Sequence, residues 1–117
     1  MIERYTLPEM GALWTDEARF RTWLEVEVEA ARAMAHYRVI PAKAFATIAE
    51  KANFDAARIR EIEAEVNHDV IAFLTSVAEH VGEDARYMHF GMTSSDMLDT
   101  ALSLTLKRAA ALIDRKI

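Results

Sequence analysis

Leu24-Glu25-Val26-Glu27-Val28-Glu29 alternates apolar and acidic residues. Taken alone, a period of two is the pattern of a half-buried strand. The flanks decide otherwise. No glycine, proline or asparagine bounds the segment, and Ala30 to Ala35 continue at helical spacing. Phe20, Trp23, Leu24, Ala31, Met34 and Ala35 then fall on one apolar stripe. Thr15, followed by Asp16 and Glu17, marks a helix start with acids in its first turn. The reading is therefore one helix from 15 to about 37, not a strand. The acids of 24–29 belong on its solvated face. Trp14 and Trp23 belong to the core.

Composition agrees with a helical chain. Three glycines and two prolines in 117 residues leave little material for turns. Such a length bounds the chain to one domain, and 52% hydrophobic residues can build its core. No apolar run approaches the ~18 residues of a membrane span, and Met1-Ile2-Glu3-Arg4 lacks a signal peptide's apolar segment. Zero cysteines exclude disulfides and thiolate metal sites and suit a reducing, cytoplasmic setting. A net charge of −5 argues against a nucleic-acid surface, which needs clustered Lys and Arg. His36, His68, His80 and His89 form no metal-ligand spacing.

Downstream, Pro41 fits the first turn of a short helix through about Ala52. Asp55 caps a third helix whose buried side is Ile59, Ile62 and Val66. Asn67 can take the left-handed conformation that ends it, and Asp69 can cap the next. The run Val70 to Ala78 is apolar enough to be buried on several sides. His80 suits an interaction at that helix's C-terminal end, and Gly82 a stop. The expected architecture is all-α, with shorter helices within 42–66, a buried helix at 69–81 and a long one after 94.

Chemistry gathers at four places. His89-Phe90-Gly91-Met92-Thr93-Ser94-Ser95-Asp96 precedes a stripe of Leu98, Ala101, Leu102, Leu106, Ala109, Leu112 and Ile113. Thr93 with Asp96 resembles a capping box. Unpaired N–H groups, the helix dipole and hydroxyls at that start could hold a carboxylate or phosphate, with Gly91 allowing close backbone approach. The same residues also suit an ordinary capped helix. His68, at a helix junction beside Asp69, is either a cap or an oriented proton donor or anion ligand. Arg4-Tyr5 is either a surface pair or a phosphate clamp. His89 is a ligand group or a turn contact.

The ordered set Met1-Ile2-Glu3-Arg4-Tyr5, Pro8-Glu9-Met10, Trp14-Thr15-Asp16-Glu17, Trp23-Leu24-Glu25-Val26-Glu27, Val39-Ile40-Pro41, Glu61-Ile62-Glu63, His68-Asp69-Val70, Ala72-Phe73, Gly91-Met92-Thr93-Ser94-Ser95-Asp96 and Asp99-Thr100-Ala101-Leu102 resembles the opening of the bacterial adenylosuccinate lyase family. That family belongs to the fumarase/aspartase superfamily of mostly helical homotetramers. The resemblance implies β-elimination of fumarate from adenylosuccinate to give AMP, and from the succinyl-carboxamide ribonucleotide of purine synthesis, without a cofactor. It implies that Arg4 and Tyr5 hold the nucleotide phosphate and that Asn67, His68 and Asp69 line the site, His68 closest to the chemistry. Thr93 and Ser94 would bind a succinyl carboxylate, and His89 would touch substrate. The family's catalytic serine loop and second histidine find no match here. Residues 1–117 therefore read as an N-terminal helical domain, inactive alone, with 94–117 leading toward a central bundle. A helical interaction module and a nonenzymatic nucleotide-binding module are the alternatives.

Overall fold

The computed structural model describes residues 2–117, and all of its regular structure is helical. An N-terminal arm carries a 3-10 turn at Glu3–Tyr5, a short helix α1 (Pro8–Gly11) and a second 3-10 turn at Ala12–Trp14. Helices α2 (Asp16–His36), α3 (Ala42–Lys51), α4 (Ala56–Val66), α5 (Asp69–Val81) and α6 (Ser94–Asp114) follow, with a 3-10 segment at Glu83–Tyr87 before α6. Helix α4 lies against α5, while α2 packs on α6 and on α3.

The alternating segment 24–29 lies inside α2, as its flanks demanded. Thr15 caps this helix, its hydroxyl accepting the Ala18 N–H at 3.1 Å. Phe20, Trp23, Leu24 and Ala31 are buried along it. Asp55 caps α4 by accepting the N–H groups of Ala57 and Arg58 at 2.9 and 3.0 Å. Asn67 ends α4 in the left-handed conformation (φ 52°, ψ 36°). Gly82 (φ 85°) ends α5, and the His80 ring donates from Nδ1 to the Ser76 carbonyl at 2.9 Å.

Phe73 of α5 is fully buried at the centre of the core. Its ring stacks near-parallel on Phe20 (6.1 Å), meets Trp23 edge-on (5.5 Å) and lies 6.3 Å from Phe54. Edge-to-face and offset arrangements are those the aromatic quadrupole favours.

Four expectations are corrected. Val66 is exposed, as the last residue of α4 beside the left-handed turn at Asn67. Trp14 is exposed on the arm and rims a recess, while Trp23 is core. The stripe expected on one face of α6 divides. Met97, Ala101 and Ala109 are buried, whereas Leu102, Leu106 and Ile113 are about half exposed. Glu27 does not lie on a solvated face: it is fully buried.

Helices α4 and α5 are also clamped by charge. The Arg58 guanidinium donates to both oxygens of Glu79 (3.0–3.2 Å) and to Glu61 (3.1 Å). This hydrogen bond, ahead of the Coulomb attraction, holds the Glu79 carboxyl below its usual range and Arg58 still more firmly protonated. A carboxyl depressed by folding stabilises the fold above its unfolded value, about 4.3, and loses that contribution as pH falls through its folded value. Glu79→Gln should therefore lower the urea midpoint slightly at pH 7 and leave it nearly unchanged well below pH 4. The effect is small because the pair is exposed. Equal shifts at both pH values would refute it.

Candidate functional site

The α4–α5 junction holds three of the candidate residues. Asn67 is the left-handed residue, its N–H bound to the Glu63 carbonyl at 2.8 Å. That bend sets His68 in an extended conformation (φ −147°), where it, rather than the expected Asp69, caps α5. The His68 Nδ1 accepts the Ile71 N–H at 3.2 Å. A nitrogen that accepts carries no hydrogen, so in the neutral ring the hydrogen sits on Nε2. Asp69 does not orient His68: its Oδ1 is 3.9 Å from Nδ1 and accepts the Val70 N–H at 2.8 Å instead. The His68 side chain is half exposed.

The second cluster is the entry to α6. Thr93 is the cap residue, extended at φ −99°, ψ 163°. The Asp96 carboxylate reaches back to accept the Thr93 N–H at 2.9 Å, the reciprocal bond of a capping box. Ser94 and Ser95 occupy the first helical positions, where N–H groups have no partner within the helix. Those donors and hydroxyls suit an anion, but the Asp96 charge stands beside them. A ligand there must be drawn by more than the helix dipole. Gly91 sits at φ 70°, and a Cβ on it would meet nothing within 4 Å. The glycine serves the left-handed backbone, not close packing.

Ahead of this entry, His89 is also left-handed (φ 58°). Its N–H donates to Oε2 of Glu27 at 3.1 Å, and its ring Nδ1 bonds to Oε1 of the same carboxylate. The contact is thus with α2, not with the turn itself. Sequence reading missed Glu27. The available signal was its register: Trp23, Glu27 and Ala31 are four apart, on the buried stripe.

Between the arm, α2, α5 and α6 lies a recess of about 280 Å³. Asp69 and Leu98 both line it, so the starts of α5 and α6 are neighbours. Arg19 supplies a cation to its wall, its guanidinium 5.3 Å from the Trp23 ring centre. The volume falls just short of the ~300–1,000 Å³ of complete small-molecule sites.

Arg4 and Tyr5 lie elsewhere. Leu7 and Met10 pack against Leu112 and Ile113, and Lys116 approaches Glu9 at 3.6 Å. Further along the arm, Trp14 reaches Leu98, Ala101 and Thr105. The arm therefore runs antiparallel to α6. Arg4 and Tyr5 belong to the C-terminal side of a helix whose 21 residues span about 30 Å, with Thr93 and Ser94 at the other end. Tyr5 is exposed, with the Arg4 guanidinium 4.8 Å over its ring. One chain gathers Asn67, His68, Asp69 and the α6 start at one end and leaves Arg4 and Tyr5 at the other. No metal-holding group of His, Asp and Glu exists among the described residues. Nor is any described helix long and apolar enough to cross a membrane.

Comparison with known proteins adds three results. The family model described as "Lyase" matches residues 3–116. Adenylosuccinate lyases of Synechocystis sp. and Bacillus subtilis are 58% and 52% identical over 97% and 93% of this chain. The chain spans about a quarter of their length (26% and 25%). Among solved structures, fumarate lyase from Mesorhizobium sp. BNC1 superposes with a TM-score of 0.82 at 31% identity, covering 91% of this chain and 26% of that one. A 3-carboxy-cis,cis-muconate lactonizing enzyme from Pseudomonas putida gives 0.84 at 30% identity, covering 95% and 27%.

Proposed function

The chain belongs to this lyase family, and we propose that residues 1–117 form the N-terminal helical domain of an adenylosuccinate lyase. The observation that carries the reading is the 58% identity to the Synechocystis enzyme over nearly the whole chain. The reaction is elimination of fumarate from adenylosuccinate, leaving AMP, and the parallel cleavage of the succinyl-carboxamide ribonucleotide. A base takes a proton from the succinyl carbon beside the C–N carbon. The C–N electrons leave with nitrogen, which an acid protonates. His68 contributes to this chemistry from the α5 cap. Asn67 and Asp69 line the site. Thr93 and Ser94 take a succinyl carboxylate, His89 touches substrate, and Arg4 with Tyr5 takes the phosphate.

The separation of Arg4–Tyr5 from the α6 start supports a site shared between copies of the chain. So do Leu102, Leu106 and Ile113 of α6, which stay 50%, 51% and 52% exposed although Leu102 lines the recess and Ile113 lies beside the arm. The partner is a second copy, as in a homotetramer. The 117-residue chain is expected to sediment as a dimer or larger species at high concentration. Sedimentation as a clean monomer would count against a shared site.

A chimera tests the function. Residues 1–117 replace the matching quarter of the Synechocystis enzyme, and adenylosuccinate cleavage is measured. Turnover within about tenfold of the parent, abolished by His68→Ala, is expected. The 117 residues alone should show none. A folded, assembled chimera without turnover would sink the reading.

A further inference from the structure

We infer that Glu27 is a positioning residue: it fixes the hydrogen of His89 on Nδ1 and so presents Nε2 to the ligand. The inference rests on the reading of His89 as a substrate contact. Three observations carry it. Glu27 is fully buried, and both of its oxygens are spent on His89, one on the backbone N–H and one on the ring. Among the described residues, no other group forms an ion pair or hydrogen bond with it. The backbone of His89 is left-handed where it makes both contacts, a conformation strained for a residue with a Cβ. A buried polar pair of this kind is a poor device for stability alone, since apolar residues of equal volume commonly serve as well or better. Its return is orientation.

The proton assignment follows from chemistry. An ionised carboxylate only accepts, so the ring must donate from Nδ1. Nε2 forms no bond, yet no buried side-chain nitrogen or oxygen among the described residues lacks a partner. Nε2 therefore reaches solvent through the 18% of the side chain left open. A neutral His89 offers a bare Nε2, an acceptor. His68 is the reverse: its Nδ1 accepts from Ile71, so its neutral ring offers an Nε2–H donor. The two histidines thus present the same ring nitrogen, Nε2, with opposite hydrogen-bonding character.

The first test is nitrogen NMR of the imidazoles in the 117-residue chain. The expected result is a hydrogen on Nδ1 of His89 at every pH where the chain is folded, with neutral His68 protonated on Nε2. A bare Nδ1 on His89 would overturn the inference without any variant. The second test uses a longer lyase containing these residues. Glu27→Gln should cost about tenfold or more in kcat/KM, and that cost should vanish in a His89→Ala background. A merely structural role would persist there. A harmful His89→Ala with a harmless Glu27→Gln, or fully additive losses, would overturn the positioning role and leave the proposed function standing. A harmless His89→Ala would overturn both the contact and the inference, and the NMR result would then report geometry alone.

Discussion

A Phe73→Ala chain is expected to be about 3–5 kcal/mol less stable than the parent. Phe73 is fully buried and touches three other rings, so the deletion removes both transfer energy and aromatic contacts. Its ring neighbours sit on α2 and in the α3–α4 connection, and no single one can swing in to fill the void. Domains have about 5–15 kcal/mol in total, so the loss is a large share. With a urea slope of about 1–3 kcal/mol/M, the midpoint should fall by a molar unit or more. Ile71→Ala, two residues away but exposed, should move it by about 0.5 kcal/mol or less. A Phe73→Ala cost below about 1 kcal/mol would mean that the core is not centred on this ring.

A large functional effect is also expected at the α6 entry in a full-length enzyme. On the proposed assignment, Ser94→Ala removes one donor to a charged oxygen, worth roughly 1.5–3 kcal/mol. If the bond persists in the transition state, kcat/KM falls about ten- to hundredfold. AMP lacks the succinyl group, so its inhibition constant should barely change. Arg4→Ala should weaken adenylosuccinate and AMP alike, because both carry the phosphate. The contrast follows from the opposite ends of α6 at which the two groups lie. Equal loss of AMP and substrate affinity in Ser94→Ala would move the phosphate to this helix start. Unchanged kinetics would leave Ser94 a plain first-turn residue of α6. The Asp96 carboxylate sharpens the test, since any anion here already binds against a neighbouring charge.

The helices were legible because their signals are local. Thr15, Asp55, Asn67 and Gly82 act on backbone groups within four residues of themselves, and each does what its side chain or lack of one permits. The strand-like alternation of 24–29 was overruled by its own neighbours. What stayed hidden depends on partners distant in sequence. Glu27 looks like its neighbours Glu25 and Glu29 until His89, 62 residues on, is folded against it. Glu25 is equally opaque: its partner is Arg108 on α6, at 2.7 Å. Trp14 reads as core by composition, but the arm carrying it lies on the surface. His68 was recognised as a junction residue, yet its competition with Asp69 for the cap is settled by backbone angles that composition does not encode. The placement of Arg4 and Tyr5 far from Thr93 belongs to the same class, since it follows from how the arm lies along α6.

The span between Glu27 and His89 also has a meaning in time. A ribosome adds about 5–20 residues per second, so roughly 3–12 s separate the emergence of the two. Throughout that interval α2 has no α6 to cover it, and its carboxylate is hydrated by water from the cell. An acid in water carries no penalty. One buried before its histidine arrived would be costly. Newborn α2 therefore cannot dry out against a wrong surface without stranding a charge. The same acid that later aims a histidine is, during synthesis, a guard on an unfinished protein.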